Sequence, residues 1–122
     1  MIFNPQMLPK IRSEALMQSF RGMPCSLRIA SFAGLPCAPQ STVVGAHLPV
    51  FGRGIGTKVS DLFVVAACQR CHDMLDERDL IGAEIRKSYP GAYADRLLKA
   101  LCETQSRWIA DGLVVVPKAK VI

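Results

Sequence analysis

A small α+β domain built around a metal centre is the fold this sequence predicts, and three observations predict it. The chain has 122 residues, 50% hydrophobic and 20% charged, which suits one core and is too short for two ordinary domains. A β-type apolar run, Leu62 to Ala66, leads into Cys68-Gln-Arg-Cys71, and two more cysteines, Cys25 and Cys37, come earlier. A long helical pattern then follows from Gly91 to Asp111.

The elements follow in order. Residues 1–20 form an arm of unassigned role, in which Ser13 suits the N-cap of a short amphipathic turn carrying Ala15, Leu16, Met17 and Phe20. Residues 21–122 form the single domain. Ser26 to Ala30 has strand character, and a loop rich in Gly, Pro and Ser runs from Ser31 to Thr42. Val43 and Val44 lead into a second strand through Gly45-Ala46-His47. Pro49 to Gly56 is a flexible basic loop holding Gly52, Arg53, Gly54 and Gly56; it lacks the Lys-Ser/Thr of a P-loop. After the Leu62 to Ala66 strand, a charged helix is expected from Arg70 to about Tyr89, ended by Pro90. The last helix carries Tyr93, Leu97, Leu101 and Trp108 at helical spacing, joined by Leu98 and Ile109, with Cys102 and Trp108 expected in the core. Gly112 suits the position just past the helix end. Leu113 to Val116 adds a closing strand.

Charge is unevenly distributed. Residues 1–60 hold Lys10, Arg12, Arg21, Arg28, Arg53 and Lys58 against Glu14 alone, whereas residues 61–122 carry nine charges of each sign. The resulting excess attracts polyanions, of which nucleic acid is the usual one, bound through release of its counterions. The longest apolar runs are about seven residues, far below the roughly 20 a membrane-crossing helix needs. Pro5, Pro9, Lys10, Arg12 and Glu14 interrupt any signal-peptide pattern. The expectation is a cytoplasmic protein without a membrane partner.

Five cysteines in a reducing compartment favour metal over disulfides. Cys68-x-x-Cys71 lets two thiolates grip one ion from a tight turn, and Cys25 and Cys37 complete a four-thiolate zinc site. A redox pair is the competing reading, requiring a βαβ setting and no role for Cys25 or Cys37. His72 in place of one cysteine is another. Such a site contributes folding free energy of order 10 kcal/mol, which suits a chain with a modest core.

Several segments resemble the HNH, or His-Me finger, endonucleases. They are Ala46-His47-Leu48-Pro49, the loop Gly52-Arg53-Gly54-Ile55-Gly56-Thr57-Lys58, and Ser60-Asp61-Leu62-Phe63-Val64-Val65-Ala66-Ala67-Cys68-Gln69-Arg70-Cys71-His72-Asp73. With Cys25-Ser26-Leu27-Arg28-Ile29 ahead of them, they are similar more narrowly to the phage- and prophage-encoded nuclease family of the YbcO type. The likeness covers roughly Arg21 to Asp76 and, more loosely, Thr104 to Gly112. It implies a treble-clef-like zinc core and a ββα-metal unit over about residues 43–78, with an additional packing helix over about 91–111.

By that resemblance, His47 is the general base and His72 a ligand of a catalytic Mg²⁺ or Mn²⁺ ion. Asp61, where the motif has Asn, orients His47 or binds the ion. Ala46 stands where many of these enzymes carry a second metal ligand, so Asp61 or Asp73 is the expected compensating donor. Arg53 and Lys58 are the expected DNA contacts. The implied activity is metal-dependent hydrolysis of DNA phosphodiester bonds in phage or prophage DNA metabolism, and cutting both strands would favour a homodimer. The alternatives are a non-catalytic zinc module that binds nucleic acid, and a protein-interaction module presenting the last helix.

Overall fold

The computed structural model describes residues 9–50 and 59–122. Its elements are α1 (Glu14–Gln18), β1 (Val44–His47), β2 (Val64–Ala67), α2 (Gln69–Leu75), α3 (Leu80–Ser88) and α4 (Pro90–Ala110), so the protein is α+β with a two-stranded sheet. β1 and β2 are antiparallel, with Val44 opposite Ala67 and His47 opposite Val64. All four β2 residues are buried, while β1 alternates and buries Ala46. Such a small sheet cannot stand alone, and helices cover it.

α4 supplies most of that cover. Its buried stripe is Tyr93, Leu97, Ala100, Thr104 and Trp108, spaced by three or four residues as one helix face requires. Thr104 accepts the Ala66 amide, and the Gln105 side chain donates to Leu62 O. Trp108 is fully buried, donates to Ser19 Oγ at 2.8 Å and meets the Phe20 ring edge-on. Phe20 in turn lies over Gly45, where a Cβ would come within 2.6 Å of the ring. Thus α1 and the turn after it belong to the core. Ser13 caps α1 by accepting the Leu16 amide, and Leu16 is buried.

Several local expectations are corrected. Ser26 to Ala30 forms no strand: the Ser26 and Leu27 amides both donate to Ala66 O, Arg28 takes a left-handed conformation, and a 3₁₀ turn follows over Ile29–Ala33. The chain is turning around the Cys25 sulfur, and an extended run could not. Leu62 and Phe63 belong to a 3₁₀ turn capped by Ser60, so the strand starts at Val64. The single helix from Arg70 to Tyr89 is two, because Glu77 adopts positive φ and Asp79 caps α3 through the Gly82 amide. Leu113 to Val116 forms no strand either. Gly112 turns left-handed, as expected, and the Leu113 amide returns to Trp108 O, folding the chain back on the helix end instead of along a sheet edge. Cys102 is exposed, as are Leu98 and Ile109, because the turn of α4 puts them off the buried stripe.

The junction of α2 and α3 is tight enough to test. A Cβ at Gly82 would fall 2.1 Å from Met74 O, and a backbone atom cannot swing away as a side chain can. Helix propensity favours Ala over Gly by about 1 kcal/mol, so the contact decides the sign. Gly82→Ala is expected to destabilise by about 1–3 kcal/mol, lowering the melting temperature by roughly 4 °C per kcal/mol. A rise in melting temperature would refute this close approach.

Candidate functional site

Four cysteines from three separate segments converge. The Sγ atoms of Cys25, Cys37, Cys68 and Cys71 all lie within 4.8 Å of one another, and those of Cys37 and Cys71 are 3.9 Å apart. Tetrahedral Zn–S bonds of about 2.3 Å place sulfurs about 3.8 Å apart. Contraction of less than about 1 Å therefore fits the quartet to a zinc ion, and among the described residues it is the cluster of three or more metal-suited side chains.

Local backbone explains the convergence. Cys68 is the N-cap of α2, and its sulfur accepts the amides of Cys71 and Ala38. The left-handed turn at Arg28 brings that residue's amide onto Cys25 Sγ at 3.5 Å. Amides aimed at sulfur stabilise thiolate charge. Cys68 and Cys71 are fully buried, whereas Cys37 is exposed. A hydrogen bond from Cys71 is the main cause that holds the Cys25 thiol down, to about 4. The same bond, with burial, pushes Cys71 well up, and burial followed by the Cys25 charge pushes Cys37 up to about 11.

A second constellation lies at the end of the hairpin. His47 Nε2 is 3.0 Å from Asp61 Oδ1, and the Ser13 amide donates to Asp61 Oδ2 at 2.7 Å. Arg12 Nη1 is 3.8 Å from the same Oδ1. The Asp61 side chain is 8% exposed and that of His47 37%. Burial alone would raise the Asp61 carboxyl; the Ser13 amide, His47 and Arg12 outweigh it and hold the group below its ordinary value. An ionised carboxylate only accepts hydrogen bonds, so Nε2 donates to Asp61, and of the two neutral tautomers this selects the one with the lone pair on Nδ1. The pair rests on a lacing of segments far apart in sequence. The Asp61 amide donates to Ile11 O, the Ile11 amide to Ser60 Oγ, and Arg12 Nη1 to Val59 O.

His72 lies on α2 with its Nε2 3.2 Å from Asp76 Oδ2, one helical turn on. Arg78 bridges Asp73 and Asp76 at 3.1 and 3.2 Å, so one guanidinium engages both carboxylates. The structure thus joins His47 to Asp61 and His72 to Asp76 as separate pairs. Arg53 and Lys58 lie outside the described residues. Sequence reasoning missed Asp76, although its i, i+4 spacing from His72 was visible. Arg12 and the Ser13 amide were also missed, and contacts spanning nearly fifty residues leave no local signal.

No described helix is long and apolar enough to cross a membrane. A family model described as "Putative nuclease YbcO" matches residues 14–111. The fold is similar to a solved structure described as a "putative bacteriophage protein from Escherichia coli str. K-12 substr. MG1655", with 25% identity and a TM-score of 0.53, covering 79% of this chain and 98% of that one. No curated protein matches the chain.

Proposed function

Because the chain belongs to the family described as "Putative nuclease YbcO", we propose that it is a metal-dependent endonuclease of the HNH type, hydrolysing DNA phosphodiester bonds in phage or prophage DNA metabolism. The observation that carries this reading is the His47–Asp61 pair. Asp61 fixes the tautomer that leaves Nδ1 unprotonated, on an imidazole with an exposed edge at a strand end. Nδ1 takes a proton from water as its oxygen bonds to phosphorus and the bond to the leaving sugar oxygen breaks. The order strand, loop, strand, helix supports the HNH assignment, with His47 on β1, Asp61 in the loop and His72 on α2.

Cys25, Cys37, Cys68 and Cys71 hold structural zinc in this account. His72 is the residue that would hold Mg²⁺ or Mn²⁺; a hard ion of this kind retains waters and phosphate oxygens as its other ligands. When bound, the ion stabilises charge on the leaving oxygen. DNA is the partner that the basic first half of the chain serves.

Cleavage of supercoiled plasmid and branched DNA with Mg²⁺ or Mn²⁺ tests the reading. His47→Ala is expected to lower the rate by about 10²–10⁴-fold in a protein that stays folded, its melting temperature falling by the few degrees that one lost hydrogen bond to Asp61 costs. Equal cutting by both proteins would remove His47 from the mechanism. One observation favours a second reading: Ala46, where a further metal ligand would stand, is fully buried and faces the core. If the folded wild type binds these DNAs and cuts none, the protein is a zinc-stabilised nucleic-acid-binding module.

A further inference from the structure

We propose that Arg12 is the residue that grips the scissile phosphate beside His47. The inference rests on the nuclease reading of the site and names a substrate contact that reading leaves open.

Among the described residues, most guanidinium and ammonium groups near an acid are closed against an accessible carboxylate. Arg28 and Arg96 share Glu103 at 2.8 Å each, Arg86 holds Glu77 at 2.7 Å, and Lys99 holds Asp95 at 2.8 Å. Arg12 differs. Its nearest acid is buried Asp61, 3.8 Å away, whose Oδ1 already accepts from His47. Arg12 Nη1 is anchored on the carbonyls of Ile11 and Val59, leaving Nη2 and Nε without a hydrogen-bond partner among the described residues. The side chain is 45% exposed. It is therefore a cation anchored through one terminal nitrogen, with donors to spare, the condition for charge-assisted bonds to phosphate.

The spacing suits one phosphate group. His47 Nε2 and Arg12 Nη1 flank the same Asp61 oxygen at 3.0 and 3.8 Å, which puts them within about 7 Å of each other. Nε2 and Nη1 are held by Asp61 and by the Ile11 and Val59 carbonyls, so a phosphate taken by Nη2 and Nε of Arg12 lies beside the His47 ring. One buried carboxylate thus sets both the base and the cation. A phosphate held by Arg12 would present its phosphorus to water on Nδ1 of His47, and orientation of this kind is a large part of rate acceleration.

The test measures binding of a fluorescein-labelled DNA duplex to the zinc-loaded protein without added Mg²⁺ or Mn²⁺, across a range of NaCl concentrations. Wild type, Arg12→Gln, Arg12→Lys and Arg21→Gln are compared, and cleavage is measured separately with Mg²⁺. Losing one phosphate contact should reduce the slope of log affinity against log salt by about 0.9. Arg12→Gln is expected to show that loss and to cut more slowly, with Arg12→Lys recovering the slope but only part of the rate. A merely structural Arg12 would lower the melting temperature of both variants and leave the slope unchanged, which would overturn the assignment. A slope that falls equally in Arg21→Gln and Arg12→Gln, with equal rates, would also overturn it. A lower slope in Arg12→Gln alone, in a wild type that binds but never cuts, would retain the phosphate contact and remove the hydrolytic reading. Failure of the folded wild type to bind DNA would overturn both.

Discussion

Replacing Cys68 by Ala should abolish metal binding by the four-cysteine cluster and remove most of the cooperative fold. Cys68 is fully buried, caps α2, and accepts the amides of Cys71 in that helix and of Ala38 in a separate segment. It is thus the sulfur through which the quartet is wired to β2, α2 and the Cys37 loop. Structural zinc contributes about 10–16 kcal/mol of binding free energy in small zinc domains. Total stabilities of small domains are about 5–15 kcal/mol, so the ion outweighs the margin. The wild type is expected to retain about one zinc per chain by elemental analysis and to melt cooperatively, and chelation should abolish that transition. Zinc loading should also weaken as pH falls, because Cys71 and Cys37 are held protonated in the free cluster and the ion must displace those protons. A metal-free wild type that melts unchanged in the presence of chelator would refute the structural role of the centre.

Asp61→Ala is expected to damage stability and activity together. Its carboxylate joins α1, the loop before β2 and His47, so truncation strands the Ser13 amide and removes the partner of Nε2. A buried donor left unsatisfied costs about 1–3 kcal/mol, and an unfixed imidazole loses its tautomer and its aim. The rate should fall by about 10²–10⁴-fold, on the scale of general-base catalysis. Asp61→Asn separates charge from shape: one amide oxygen can still serve the Ser13 amide, while the negative charge beside His47 and Arg12 is gone. The pH dependence has a defined sign. Asp61 has its folded pKa below the ordinary aspartate value of about 3.9, so its stabilisation is present above that value and lost as pH falls through the lower folded pKa. The wild-type stability curve should show that acid limb, and Asp61→Asn should lack Asp61's share of it. Identical acid profiles would show that Asp61 is not held ionised by these partners.

Segments in which side-chain chemistry and local spacing agree were legible from sequence. The pair Cys68 and Cys71 is fixed by one turn of helix, and Gly112 marks a stop that only backbone freedom explains. Trp108 in the core follows from the helical stripe, as does the existence of α4. The likeness to the family described as "Putative nuclease YbcO" was also carried by order and spacing, and the family model matches residues 14–111. Cys102 shows the limit of that reasoning, since helical periodicity places residues on faces but not which face the sheet will cover. Ser26 to Ala30 shows another: its apolar alternation suits a strand, yet the turn around Cys25 overrode propensity.

The sequence by itself determined an α+β chain with four metal-suited cysteines, a basic first half, one histidine ending a strand and another following the Cys68–Cys71 pair. Tertiary structure alone decided that Cys25 and Cys37 meet Cys68 and Cys71, that α1 joins the core through Phe20 and Trp108, and that Asp61 binds His47, Ser13 and Arg12 at once. The physical reason is range. Capping, helical periodicity and turn conformation act over a few residues and are written locally, whereas buried charge and converging sulfur are satisfied by groups dozens of residues away, brought together only when the core forms.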